Sequence, residues 1–231
     1  MVATLPLLLA AVLLTPASAL AQQQPAAGTY VTTGGWGTLK IEPDGAFTLE
    51  TLGANGHSCG LDGRIVRGRA TLEDNCVLRF DRKAAAIHVA PLSATDTARQ
   101  ACRAFCGARA HFEGDYHPRP PACADDAVQA ERARFLVDYR ARRYPDAAAR
   151  LEQVLARCGR SLWWMTDAEV RNDLALAQHR AGRAAACAAT LKPLDRLLAG
   201  DVHFPPLERE WADAFLPQVR FNRSLCAAPR P

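Results

Sequence analysis

Four polar residues alternate through the middle of the chain: His111, Glu113, Asp115 and His117. In an extended strand every second side chain points the same way, so all four would share one face. Two imidazoles and two carboxylates suit zinc or another divalent cation. Same-face neighbours along a strand lie about 7 Å apart, which stretches a four-ligand site. In the competing arrangement Ala110, Phe112, Gly114 and Tyr116 face a core and leave the polar set in water. The second arrangement is the expected one, so neither a metal nor any other cofactor is expected. Two sulfur chemistries are also conceivable. His57 beside Cys59 could activate a thiol, and Cys102 with Cys106 could cycle between thiol and disulfide. The chain has no Gly-x-Ser-x-Gly elbow, no His-Glu-x-x-His, no phosphate loop and no dinucleotide glycine pattern. A non-enzymatic role is therefore expected.

The sulfurs read better as structure. There are eight, at Cys59, Cys76, Cys102, Cys106, Cys123, Cys158, Cys187 and Cys226. An even number suits a disulfide framework. A zinc site usually shows two close ligand pairs, and here only Cys102 and Cys106 are close. The first residues point to the same compartment. An apolar run, Leu7 to Leu14, is followed by Ala19-Leu20-Ala21 and then Gln22. That is a secretory leader with a small-x-small cleavage site, so residues 1–21 are expected to be a signal peptide. The run is too short for a membrane span, which needs about 20 residues, and no later segment is apolar enough to be one. The protein is expected in the periplasm or secreted. Its net charge of +4, from Arg spread among acids, does not indicate nucleic acid.

The aromatic residues suggest contact surfaces. Trp163-Trp164-Met165 is an apolar cluster in a loop, and Trp36 stands among Gly34, Gly35 and Gly37. Exposed tryptophans often anchor interfaces. Otherwise Trp163 and Trp164 pack over helix ends and Trp36 plugs a barrel.

These residues sit on two halves of different period. Residues 28–117 show apolar alternation broken by turn residues, the pattern of short strands. Pro43-Asp44-Gly45 and Arg67-Gly68 mark hairpin turns. Seven strands precede a helical crossover from Asp96 to Phe105, and an eighth is expected over 108–116. An eight-stranded antiparallel meander leaves fewer exposed edges if it closes into a barrel. An open sandwich is the alternative. Residues 118–122, rich in proline, read as a linker. From 123 to 226 the period is helical. Helices are expected at Asp125–Arg142, from Pro145, from a Thr166–Glu169 capping box, from Ala184, and over Leu207–Leu216. Pro193 should split the fourth of these. The fold class is α+β.

Antiparallel helix geometry predicts two bridges. The start of one helix lies beside the end of the next, which places Cys123 against Cys158 and Cys187 against Cys226. Cys59 and Cys76 are expected to meet at one end of the barrel, leaving Cys102 and Cys106.

Tyr144, Ala147 and Leu151, then Leu174, Ala175, Gly182 and Leu191, match positions of successive tetratricopeptide repeats. Residues 125–200 resemble that family. The two units are about 40 residues apart, longer than the family period. The strand pattern is similar to calycin-like barrels and to the barrels of periplasmic lysozyme inhibitors. The helical resemblance implies a groove for a protein or peptide partner. The barrel resemblance implies an inhibitor of a cell-wall hydrolase or a carrier of a small apolar ligand.

Overall fold

Apolar alternation carries the first half into strands. In β3 (Ala46–Leu52) the side chains of Phe47, Leu49 and Thr51 are buried, while Thr48, Glu50 and Leu52 face out. The same pattern builds β1 (Gly28–Thr32), β2 (Gly37–Ile41), β4 (Ser58–Arg64), β5 (Arg69–Thr71), β6 (Val77–Lys83), β7 (Ala86–Pro91) and β8 (Gly114–Pro118). The structure is a computed structural model and describes residues 24–200, 202 and 204–227. The expected signal peptide, 1–21, lies outside the described residues. Turns form where the residues allow positive φ. Gly45 has φ +84, and the Asp44 carboxylate accepts the Ala46 amide at 3.0 Å. Arg67 and Gly68 have φ +52 and +73, as a tight hairpin between β4 and β5 requires.

The sheet order is β4-β3-β2-β1-β8-β7-β6-β5, and neighbouring strands pair antiparallel in the manner of a meander. The first and last strands pair in mid-sheet, and the seam of the nearly closed barrel falls between the sequence neighbours β4 and β5, which meet at the Val66–Arg69 bridge. Leu39, Leu49, Leu61, Leu78, Phe47, Phe80, Val89 and Tyr116 fill the interior. Each such side chain taken fully out of water contributes about 1.5–3 kcal/mol. The barrel is therefore a packed core.

The crossover covers the seam. Helix α1 (Asp96–Arg103) is capped by Thr95, whose hydroxyl accepts the Ala98 amide. The chain after it lies on the free edge of β4: Gly60 N–H donates to Phe105 O at 3.1 Å, and Gly107 N–H to Ser58 O at 2.8 Å. Two disulfides lock this arrangement, Cys59–Cys106 and Cys76–Cys102. The expected Cys59–Cys76 bridge does not form: Cys76, just before β6, bonds Cys102 of α1, and Cys59 of β4 bonds Cys106 in the segment after α1. Cys102 and Cys106 thus bind separate parts of the barrel rather than one another. The eighth strand also starts later than expected, at Gly114 rather than 108.

Six helices follow among the described residues: α2 (Asp125–Arg140), α3 (Tyr144–Cys158), α4 (Trp164–Arg180), α5 (Ala184–Leu191), α6 (Asp195–Ala199) and α7 (Pro206–Ala227). Lys192–Leu194 forms a 3-10 turn that separates α5 from α6, as Pro193 predicts. The α2–α3 and α4–α5 hairpins repeat at about 40 residues. Arg142 and Gly182 take positive φ in the two turns. Arg143 N–H donates to Asp138 O, and Arg183 N–H to Gln178 O. Cys123–Cys158 and Cys187–Cys226 bridge as helix-pair geometry expects. Two expectations fail here. Helix α4 starts at Trp164, and Glu169 does not cap it: its carboxylate accepts from Arg132 at 2.7 Å and from the Trp211 indole at 3.0 Å. Helix α7 runs 22 residues, straight through Pro217, because Phe215, Leu216, Val219 and Cys226 bury one continuous face. The proline-rich segment 118–122 is held down rather than free, since Arg119 donates from its amide to Thr29 O and from its side chain to Cys123 O.

One buried carboxylate fastens the first hairpin. Asp138 is 6% exposed and accepts from Arg150 Nε and Arg143 Nη2, each at 2.5 Å. The Arg150 bond, then the Arg143 bond, holds its carboxyl below the ordinary carboxylate range. A depressed native pKa stabilises above the unfolded value and fades as pH falls through the native one. Asp138→Asn should therefore destabilise at neutral pH, and the gap to wild type should close in acid. Urea midpoints measured across pH 2–7 check this; a gap that widens in acid contradicts it.

Candidate functional site

The two halves meet along glycine-rich turns. Gly34 N–H donates to Arg160 O at 2.7 Å. Gly35 has φ +68, and a β-carbon there would lie 2.5 Å from the Trp163 amide nitrogen and 2.6 Å from Ser161 O. Only glycine lets the barrel turn approach the loop before α4 so closely. A second contact joins the Ala54–Gly56 turn to α7, where Asn55 N–H donates to the Glu208 carboxylate at 2.9 Å.

This docking brings Trp36 and Trp163 into one wall. On one side lies a mixed cavity of about 560 Å³, with Thr38, Glu50, Ser58, Arg119 and Thr166 in its lining. On the other lies an apolar cavity of about 500 Å³. Trp36, Leu52, Trp163, Trp164, Leu197 and Phe204 supply its apolar lining, and Arg109, His111 and Glu208 its polar margin. The barrel and the helices each contribute. Trp36 packs on His111, with ring centroids 4.4 Å apart and planes tilted by 35°. Trp164 stacks on Phe204 at 5.7 Å and meets Trp211 edge-on at 5.0 Å. All four tryptophans of the chain thus line or touch this region. All four rings are half-buried, and those of Trp36, Trp163 and Trp164 line the cavity.

The sequence placed Trp163-Trp164 and Trp36 as separate candidates; the fold unites them. It also adds Leu52, Leu197, Phe204 and Trp211, which carry no pattern of their own. The signal that marks the junction is the Gly34-Gly35 pair beside Trp36, because consecutive positive-φ glycines permit close approach of another backbone.

The other candidates disperse. Only Asp115 and His117 of the alternating quartet lie in β8. His111 packs on Trp36, and Glu113 faces Arg99 at 4.0 Å. Asp115 bonds His88 at 2.5 Å and Lys83 at 3.2 Å, and those bonds, His88 first, hold its carboxyl below the ordinary range. His117 instead shares the lining of a small concavity with Arg157 and Arg160. Directed to different surroundings, the four side chains do not come together as a ligand set. Among the described residues no cluster of three or more His, Cys, Asp and Glu is placed to hold a metal. Cys59 is bonded to Cys106, so His57 faces no thiol and packs over Gly107. Burial raises the pKa of the Tyr116 hydroxyl, which donates to Phe112 O at 2.8 Å inside the barrel. No helix among the described residues is long and apolar enough to cross a membrane. No protein-family model, no curated protein and no solved structure matches the chain.

Proposed function

We propose that this chain is an exported, non-enzymatic binding protein of the bacterial periplasm that holds an apolar segment of a protein or peptide partner at the barrel–helix junction. One observation carries the reading: Trp36, Trp163 and Trp164 line a single apolar cavity of about 500 Å³. Tryptophans in such pockets are the usual anchors of recognition. The four disulfides suit a chain that folds in an oxidising, exported environment. Two packed helical hairpins support a tetratricopeptide-like scaffold for the second half, with a step longer than the family period. A small apolar ligand is the second reading, since the cavity volume falls within the usual small-molecule range. A carrier would then use the junction, because the barrel interior is filled by its own side chains.

Panning a random peptide library over the folded protein tests the reading. Enriched peptides should be apolar, and Trp163→Ala should weaken them at least tenfold, the scale of a tryptophan hot spot (about 2 kcal/mol or more). Enrichment of peptides that bind Trp163→Ala as well as wild type would sink it.

A further inference from the structure

A second concavity lies on the far strands of the barrel and is basic. It measures about 410 Å³ and is lined by Arg67, Arg69, Arg79 and Arg82 with a single carboxylate, Asp81. Arg79 pairs with Asp81 and also donates to Pro91 O. Arg67, Arg69 and Arg82 have no carboxylate within salt-bridge distance among the described residues. The nearby Arg64 is neutralised by Asp44 at 2.8 Å, so the positive charge is local to the concavity. The acidic Glu73 and Asp74 sit in the turn at the other end of the β5–β6 hairpin.

The register sharpens the point. Arg69 and Arg79 are direct cross-strand partners. Like charges in that relation, with β-carbons about 5 Å apart, oppose pairing. β5 has only three residues with which to offset them. An apolar or acidic residue at either position would serve the hairpin better. Arg69 and Arg79 share the outer face, whereas Arg82 alternates with Asp81 and falls on the side of Phe80 and Ile87. Two like charges that weaken their own strand pair at the rim of one hollow are arranged for something outside the chain. Guanidinium groups match the tetrahedral oxygens of phosphate by paired hydrogen bonds. We propose that this hollow binds a phosphate group, with Arg67 and Arg69 as its donors, Arg79 held ready by Asp81, and Arg82 adding positive charge from the lining. This site is separate from the tryptophan cavity and does not depend on it.

Calorimetry with pyrophosphate at low ionic strength tests the proposal, because salt screens such contacts. Wild type should bind at millimolar or lower concentration, and Arg67→Ala with Arg69→Ala should weaken binding at least tenfold (about 1.4 kcal/mol). Because Arg69 opposes Arg79, the double variant should melt no lower than wild type. A gain or constancy of stability with loss of binding is a result that a structural role would not produce. A second arm uses vesicles of phosphatidylglycerol in phosphatidylcholine. Binding to the vesicles that pyrophosphate reverses identifies a lipid phosphate as the ligand. Binding to pyrophosphate alone identifies a soluble phosphate. Either supports the site. No binding to pyrophosphate at millimolar concentration, or equal binding by the double variant, overturns it.

Discussion

Serine at both Cys59 and Cys106 should lower stability by about 4 kcal/mol, from a closed loop of that length in the chain-entropy account. The bridge spans 47 residues and joins β4 to the segment after α1. Losing it also frees the edge of β4, whose Ser58 and Gly60 now pair with Gly107 and Phe105. An unpaired edge is a template for self-association. The variant should therefore unfold at lower guanidinium concentration and aggregate on partial unfolding. The pairing itself has a sharper check. Cys59→Ser with Cys106→Ser should leave no free thiol, whereas Cys59→Ser with Cys76→Ser should strand Cys106 and Cys102. A thiol count under denaturing conditions distinguishes them. Free thiols in the first variant would mean that Cys59 and Cys106 are not partners.

Alanine at Gly35 should be nearly as costly and should also remove binding. The new β-carbon meets backbone atoms of Ser161, Leu162 and Trp163 at 2.5–2.7 Å, and backbone cannot turn aside. Overpacking costs about 1–3 kcal/mol, and φ +68 adds about 1–2 for a residue with a side chain. The expected loss is about 2–5 kcal/mol in denaturant unfolding. Each half keeps its own core, so circular dichroism should barely change while junction binding falls. Gly60 is the control, because a β-carbon there meets nothing within 4 Å. Equal stability of the Gly35→Ala and Gly60→Ala variants would show that the halves do not approach as closely as described.

Legibility followed locality. Pro43-Asp44-Gly45 marks its turn because the conformation is set by those residues alone. Cys123–Cys158 was readable because both sit on one helical hairpin, whose geometry follows from its short turn. Cys59–Cys106 was not, since its pairing depends on where α1 lands after a long excursion. The His111–His117 alternation is present, but the first residues of the quartet stay out of β8 and His111 finds Trp36 instead. The capping pattern at Thr166 lost to tertiary contacts, because Arg132 and Trp211 claim Glu169. The tryptophan cavity could not be read at all from periodicity. Its rings come from a barrel turn, a loop and the approach to α7, which only docking brings together. Gly34-Gly35 beside Trp36 is the one local clue.

The disulfide-braced halves matter to function only if their junction is where a partner sits. Tryptophan emission during titration with an enriched apolar peptide tests that directly, because all four indoles are in or against the cavity. Occupancy should remove water from their faces, shift emission to the blue and saturate at one peptide per chain. Binding registered by calorimetry with unchanged tryptophan emission would place the partner elsewhere and contradict the account.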